Sequence, residues 1–384
     1  MPCDVIAGQC GAVDADTQSE LVVEVPLFMG GPVPILRAEF LGEVRSFILD
    51  TGTSDIAVNR DLKSHLGSPK TVETASTPSG AVRIEVYPNR AMKLNNRSFY
   101  GEVIVGPNDV DVSLLGCQVA GFLGMEAFQD YAIEINPDNE VFRVYDRVPD
   151  GIIKKSVLFP LRVETYRPIA TLELPKLGLE EFLLDTGGSG SMMLRGEAFD
   201  KLVRSGDIKD CFYTPLTTVV RVEKIVKGKL SDFTVGKFNH DTLNVMRRAS
   251  PSGLSSVDWR YLRRYIMVVD FVHKRLYLQP SKYHDSPELL DKSGLQLISR
   301  DGAILIAVCT TDSPADKAGL RAHDIISHIN GKASTEFSLR EISDFLCQEH
   351  ETIRIAATRG ETPINAEFQL EEFRTFQLNE LKLK

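Results

Sequence analysis

Short runs in which apolar and polar residues alternate recur along almost the whole chain, and they predict a protein built mainly of strands. Residues 21–27 form the first run, and Pro32-Val33-Pro34 separates it from the next. Residues 35–40 alternate as a half-buried strand, 41–43 turn the chain, and 44–49 return it, a hairpin that delivers Asp50 to a turn. Residues 60–66 read as a short helix. The turn Thr77-Pro78-Ser79-Gly80 precedes an alternating run at 81–87, and more strands follow through 105. Gly121-Phe122-Leu123-Gly124-Met125 then leads into strand-like runs at 131–135 and 141–145.

The second half repeats this order. Residues 168–174 stand where 34–40 stood, and a turn and a strand again follow; 195–204 read as a helix, and 265–271 with 275–278 close the unit as a strand pair. Gly253-Leu254-Ser255-Ser256-Val257 takes the place of residues 121–125. A period of about 130 residues is far too long for a solenoid and points to an internal duplication. The expected division is a loose polar arm at 1–20, a first lobe at 21–150, a second at 151–278 and a polar, Pro-bearing linker at 279–290. A compact third domain at 291–375 and a tail at 376–384 complete the chain. In that third domain 303–308, 352–358 and 364–370 read as strands and 339–346 as an amphipathic helix.

The two halves share one chemical feature. Phe47-Ile48-Leu49-Asp50-Thr51-Gly52-Thr53-Ser54 is echoed by Phe182-Leu183-Leu184-Asp185-Thr186-Gly187-Gly188-Ser189, 135 residues later. Each copy is an apolar strand that ends in Asp and turns sharply at Thr-Gly. A single copy would be an ordinary turn, whereas two with matched flanks bring one carboxylate from each lobe to a shared site. Two carboxylates about 3 Å apart cannot both ionise at moderate pH and share one proton over a wide range. The ionised oxygen takes a proton from a water held between them, and the protonated partner polarises a carbonyl and later protonates a leaving amine. Gly52 and Gly187 let the backbone approach each carboxylate and donate N–H groups to it. Thr51 and Thr186 are placed to hydrogen-bond across the two-fold.

Composition narrows the alternatives. A formal charge of −9, from 44 basic and 53 acidic residues, disfavours a nucleic-acid binder, and no Lys/Arg tract offsets it. The six cysteines, Cys3, Cys10, Cys117, Cys211, Cys309 and Cys347, are scattered without a CxxC pair, and the seven histidines lack HExxH spacing. Neither a zinc site nor a disulfide framework is signalled. No apolar run approaches the ~18–20 residues that span a bilayer. Residues 1–20 lack a basic n-region and an apolar core, so the expectation is a soluble, cytoplasmic protein, with export following if the true start lies elsewhere. Gly187-Gly188-Ser189-Gly190-Ser191 is not a nucleophile elbow, because position 191 is Ser.

Phe-(Ile/Leu)-Leu-Asp-Thr-Gly with the later Phe122-Leu123-Gly124 resembles the aspartic proteases, the pepsin and retropepsin group, and the short lobes look closer to retropepsins fused in one chain. The resemblance implies a mainly β, two-lobed acid-protease fold with a peptide cleft, a hairpin flap and no cofactor. On it Asp50 and Asp185 are the catalytic pair. Thr51, Gly52, Thr53, Thr186, Gly187, Phe122, Leu123 and Gly124 support them. Thr77, Pro78, Ser79 and Gly80 form the flap of the first lobe, with an ordinary surface hairpin as the alternative. Ser313-Pro314-Ala315, Ala318-Gly319-Leu320 and Asp324-Ile325-Ile326 resemble a small α+β PDZ domain of the bacterial type, with His323 replacing the usual Gly before Asp. That resemblance implies binding of peptide C-termini, with Ser293, Gly294, Leu295 and Leu297 in the groove.

Two positions depart from the family pattern. Gly188 stands where a side chain is usual, and Ser255-Ser256 replaces Leu-Gly, which sets Ser256 opposite Gly124. The sequence therefore implies an aspartic endopeptidase acting on polypeptides, with a PDZ domain that recruits substrates or partners. The rival is a non-catalytic peptide-binding protein, a degenerate protease fold coupled to a PDZ adaptor.

Overall fold

A computed structural model describes residues 21–29, 31–77, 80–107, 109, 118–174, 176–217, 222–248, 253–300 and 302–373. The arm at 1–20 and the whole tail at 376–384 lie outside these residues, as do Pro78 and Ser79 of the expected flap turn.

The alternating runs pair as their patterns require. Ile35–Phe40 and Glu43–Leu49 form an antiparallel hairpin in which Leu36 faces Phe47 and Ala38 faces Arg45. Leu41 and Gly42 close it at positive φ (55° and 82°), with Gly42 in a conformation that lacks a Cβ penalty. Glu43–Leu49 then runs parallel to Gly121–Leu123, so Leu49 pairs with Leu123 immediately before Asp50. Ile56–Val58 closes the arrangement, antiparallel to Gly121–Leu123 and parallel to Arg97–Val105.

The second half repeats every step. Arg167–Leu174 pairs with Gly178–Asp185, which runs parallel to Ser255–Asp258. Met192–Leu194 is antiparallel to Ser255–Asp258 and parallel to Phe238–Arg247. Phe47, Leu49, Leu123, Phe182, Leu184 and Val257 are all buried beneath the two turns, in one apolar cluster that spans both halves. The turns therefore sit on rigid, fully packed strands.

A six-stranded antiparallel sheet joins the halves, in the order Leu21–Phe28, Val141–Tyr145, Ala132–Asn136, Tyr265–Asp270, Arg275–Pro280, Val157–Glu164. Ala132–Asn136 and Tyr265–Asp270 meet at its centre, so the repeat is related by a pseudo-two-fold there. Arg60–His65 is a 3₁₀ helix, and Gly196–Ser205 is the expected α-helix, ended by Gly206 in the left-handed conformation. The one- to two-turn helices Asp150–Lys155 and Trp259–Leu262 have no sequence periodicity to announce them, being too short to show a face.

The last domain has its own apolar core and a sheet that runs Leu295–Arg300, Ala303–Cys309, Ile325–Ile329, Thr352–Arg359, Thr362–Gln369. Ser313 caps the helix Pro314–Lys317, and Ser338 with Glu341 forms a capping box on Leu339–Phe345. The polar linker packs against the second half. Glu288 pairs with Arg264 at 3.1 Å, both side chains nearly buried, and accepts a hydrogen bond from Ser191 Oγ at 2.8 Å. Arg260 donates to the Leu289 carbonyl at 2.9 Å.

Candidate active site

The two Asp-Thr-Gly turns meet at the pseudo-two-fold, and their threonines are fully buried. Thr51 Oγ1 donates to the Leu184 carbonyl at 2.6 Å and accepts from the Thr186 N–H at 3.1 Å. Thr186 does the same in return, donating to the Leu49 carbonyl at 2.6 Å and accepting from the Thr51 N–H at 3.0 Å. Four hydrogen bonds thus close a reciprocal lock between the loops, every one to a strand end or turn of the opposite half. They leave no buried donor of the two threonines unmet.

The glycines act crosswise. An ideal Cβ on Gly187 would stand 2.5 Å from Cγ of Asp50, and one on Gly52 would stand 2.7 Å from Cγ of Asp185. Only a residue without a side chain allows each turn this close to the other's carboxylate. The expected N–H donation to the neighbouring Asp holds for Gly52, which reaches Asp50 Oδ1 at 2.7 Å. Asp185 Oδ1 accepts from the Gly188 N–H at 2.8 Å, and the Gly187 N–H also acts on both carboxyls. Burial first, and then the charge of Asp185, push the Asp50 carboxyl well above the usual carboxylate range. Burial also raises Asp185, against the Gly188 N–H and the positive charge of Arg248. The pair accordingly holds a proton at pH values where isolated carboxyls have lost theirs.

The other residues expected at the site surround these turns. Thr53 carries the carbonyl that accepts from Met125 N at 3.1 Å, and the Leu123 carbonyl accepts from Asp50 N at 3.0 Å. Phe122 is the middle residue of the strand Gly121–Leu123. A Cβ on Gly124 would clash with the Asp55 carbonyl oxygen and lie 2.5 Å from the Ser54 carbonyl carbon, so this glycine is required by close packing. Thr77 and Gly80 pair at the end of a long hairpin, Thr71–Thr77 with Gly80–Leu94, where Thr77 Oγ1 donates to the Gly80 carbonyl at 2.7 Å. The second half has the matching hairpin, Ile208–Thr217 with Val222–Val235.

One sequence assignment changes. The strand register pairs Leu183 with Ser256, Leu184 with Val257 and Asp185 with Asp258. In the first half Ile48 pairs with Phe122 and Leu49 with Leu123. The counterpart of Gly124 is therefore Asp258, and Ser256 is the counterpart of Phe122. Backbone hydrogen bonds agree: Met125 N donates to Thr53 O, and Trp259 N to Gly188 O. Asp258 is buried, accepts from Ser256 Oγ at 2.7 Å, and is pushed by burial and by Asp185 to about 7. The sequence pattern does not single it out as a site residue. Its one signal is the pair of glycines at 188 and 190, which leave room for a side chain there.

Ser293 and Gly294 lie at the head of Leu295–Arg300, and their N–H groups are taken by the Asp291 carboxylate at 3.2 and 2.5 Å. Leu295 and Leu297, with Leu339, face Ser189, Gly190 and Lys227 across a cavity of about 640 Å³ between the second half and the last domain. Asp50 and Asp185 do not line it. Lys229 Nζ bonds Glu372 Oε1 at 2.6 Å, so the hairpin of the second half is braced on the last domain. Among the described residues no group of His, Cys, Asp and Glu is arranged to hold a metal ion, and no helix is long and apolar enough to cross a membrane.

Residues 36–127 match the family model described as aspartyl protease, and residues 305–359 match that of the PDZ domain. The chain carries an aspartyl-protease-type domain and a PDZ-type domain. The protease match includes Asp50 and Gly124 but stops short of Asp185, the half in which Gly188 and Asp258 depart from the pattern. An aspartic proteinase from Irpex lacteus aligns over 69% of this chain and 98% of its own, at 14% identity and a TM-score of 0.45. No curated protein matches the sequence. The protein is mainly β, an aspartyl-protease-type fold joined to a PDZ-type domain.

Proposed function

We propose that this protein is an aspartic endopeptidase that hydrolyses peptide bonds with a water activated between Asp50 and Asp185. The observation that carries the reading is the reciprocal lock of Thr51 and Thr186, with Gly52 and Gly187 each set against the opposite carboxylate. A chance pair of turns has no reason to exchange four buried hydrogen bonds about a two-fold.

In the mechanism the pair begins with one shared proton. Burial raises both carboxyls, and the proton belongs to the pair. The ionised carboxylate takes a proton from the bound water as its oxygen attacks the scissile carbonyl carbon, and the protonated carboxyl gives its proton to the carbonyl oxygen. The resulting gem-diol collapses as the C–N bond breaks: the ionised carboxylate takes a proton from one hydroxyl, the other carboxyl gives its proton to the leaving amine, and the pair again holds one proton. No covalent intermediate forms. The hairpin at Thr71–Thr77 and Gly80–Leu94 is the flap of the first half on this reading. The last domain takes peptide C-termini by strand addition along Leu295–Arg300, with Ser293, Gly294, Leu295 and Leu297 in its groove. A peptide carboxylate there displaces Asp291 from the Ser293 and Gly294 N–H groups.

The replacement of glycine by Asp258 beside Asp185 favours a second reading, a peptide-binding protein without turnover. Cleavage of a diverse peptide library from about pH 3 to 8 by wild type, Asp50→Asn and Asp185→Asn separates the two. Cuts made by wild type alone, and blocked by a statine-type transition-state analogue, are expected. Cleavage that survives in either variant, or none by wild type at any pH, overturns the protease reading.

A further inference from the structure

Gly188, Gly190 and Asp258 form a single exchange of volume. In the first half position 124 must be glycine, because Ser54 and Asp55 press against it. In the second half Gly188 and Gly190 stand where the first has Thr53 and Asp55, and the Asp258 carboxyl lies where their side chains would begin: a Cβ on Gly188 would stand 2.7 Å from Asp258 Cγ, and one on Gly190 3.0 Å from Asp258 Oδ2 and 2.3 Å from Met246 Cε. The space removed from the loop is filled by a carboxylate, in register with Asp185. Filling that space for packing alone calls for an apolar side chain, since a buried carboxyl loses its hydration and needs partners.

Those partners are few. Ser256 Oγ donates to Asp258 Oδ1, and the charged groups that face it are Asp185, from Gly178–Asp185, and Arg248, which follows Phe238–Arg247. Arg248 is itself only 7% exposed, its Nε has no hydrogen-bond partner, and its charge acts on both Asp185 and Asp258. The second half of the site is thus a buried carboxylate–carboxylate–guanidinium group, for which the first half has only Gly124.

We propose that Asp258 is a positioning residue for the proton shared by Asp50 and Asp185: its carboxylate, beside Asp185 and opposed by Arg248, keeps that proton on the pair at higher pH than the two aspartates alone would hold it. The inference rests on the protease reading above. A negative charge beside a carboxyl pair disfavours loss of the pair's last proton. That last proton is the one a dyad needs, so its loss marks the alkaline limit of turnover. Burial pushes Asp258 to about 7, so its charge develops as the pH approaches neutrality, where the support is needed. Arg248 works in the opposite direction and bounds the effect.

The test is the pH profile of kcat/KM on one cleaved peptide, measured for the full chain as wild type, Asp258→Asn and Arg248→Gln. Asparagine keeps the volume and the acceptor for Ser256. The alkaline limb should fall by about one pH unit in Asp258→Asn and rise in Arg248→Gln, because each removes one unit charge next to the pair. An alkaline limb in Asp258→Asn that coincides with wild type overturns the proposal and leaves Asp258 as a filler of the space beside Gly188. Carboxyl-carbon NMR titration of the same chains reads the pair without turnover. A wild type that cuts nothing would sink the protease reading, while an unmoved last ionisation of Asp50 and Asp185 in Asp258→Asn would sink this one.

Discussion

Gly187 lies against the carboxylate of Asp50, from the opposite half of the molecule, so closely that a Cβ would stand 2.5 Å from its Cγ. Real Cβ contacts essentially never come so near, and the neighbour is the carboxyl proposed to react. Gly187→Ala must therefore displace Asp50 or spread the two turns. On the protease reading a shift of about 1 Å in a reacting group lowers turnover on the order of 100-fold. Steady-state kinetics should show the loss in kcat while circular dichroism remains that of wild type.

The Thr51–Thr186 lock predicts a stability effect that does not depend on activity. Thr51→Ala removes the donor to the Leu184 carbonyl and the acceptor of the Thr186 N–H, both buried. Leaving two buried groups unmet costs roughly 2–6 kcal/mol in all. Thr186→Ala removes the mirror pair and should cost a similar amount. The double variant should lose less than the sum, because all four bonds belong to one lock. Urea unfolding of the three variants checks both statements.

Asp258 predicts a pH dependence of stability with a definite sign. Burial raises its folded-state value to about 7 from 3.8, so the folded chain binds this proton more tightly than the unfolded chain. Its favourable contribution is whole below pH 3.8 and is lost as the pH rises through about 7. Asp258→Asn removes that dependence. Relative to wild type, the variant should gain at least about 1 kcal/mol between about pH 5 and 8 by this linkage. Equal differences in thermal unfolding at the two pH values would contradict it.

Glu288 sets where the chain can be cut. It is the buried partner of Arg264 and also accepts from Ser191, so a chain ending at Ser286 strands a buried guanidinium. Breaking such a pair from one side costs about 3–5 kcal/mol. A chain ending at Leu290 keeps the pair and should hydrolyse peptides, with a changed choice of protein substrates. Glu288→Ala in the full chain should reproduce the instability of the shorter truncation, as measured by urea unfolding.

Much of the site is legible in the residues because duplication repeats it. Asp50 and Asp185 end equivalent apolar strands, and a pattern seen twice predicts the meeting that neither copy predicts alone. Asp258 escapes for a physical reason. Aligning Gly253-Leu254 with Gly121-Phe122 misplaces the strand by two residues, and a slip of two leaves every side chain on the same face of the sheet. Alternation of apolar and polar residues cannot detect it; the hydrogen-bonded partner of Asp185 can. The contacts of the polar linker are hidden for a related reason, since only the fold sets Glu288 beside Arg264.

By itself the sequence determined the strands, their order in each half and the two turns, because these depend on side-chain alternation, on Thr-Gly turns and on neighbours close along the chain. The tertiary structure decided what lies between residues far apart: the crosswise fit of Gly52 and Gly187, the strand register that sets Asp258 beside Asp185, and the occupation of the Ser293 and Gly294 N–H groups by Asp291. Each is a matter of a close approach or of one hydrogen-bonded partner, and distances of that kind exist only once the two halves have packed on a common core.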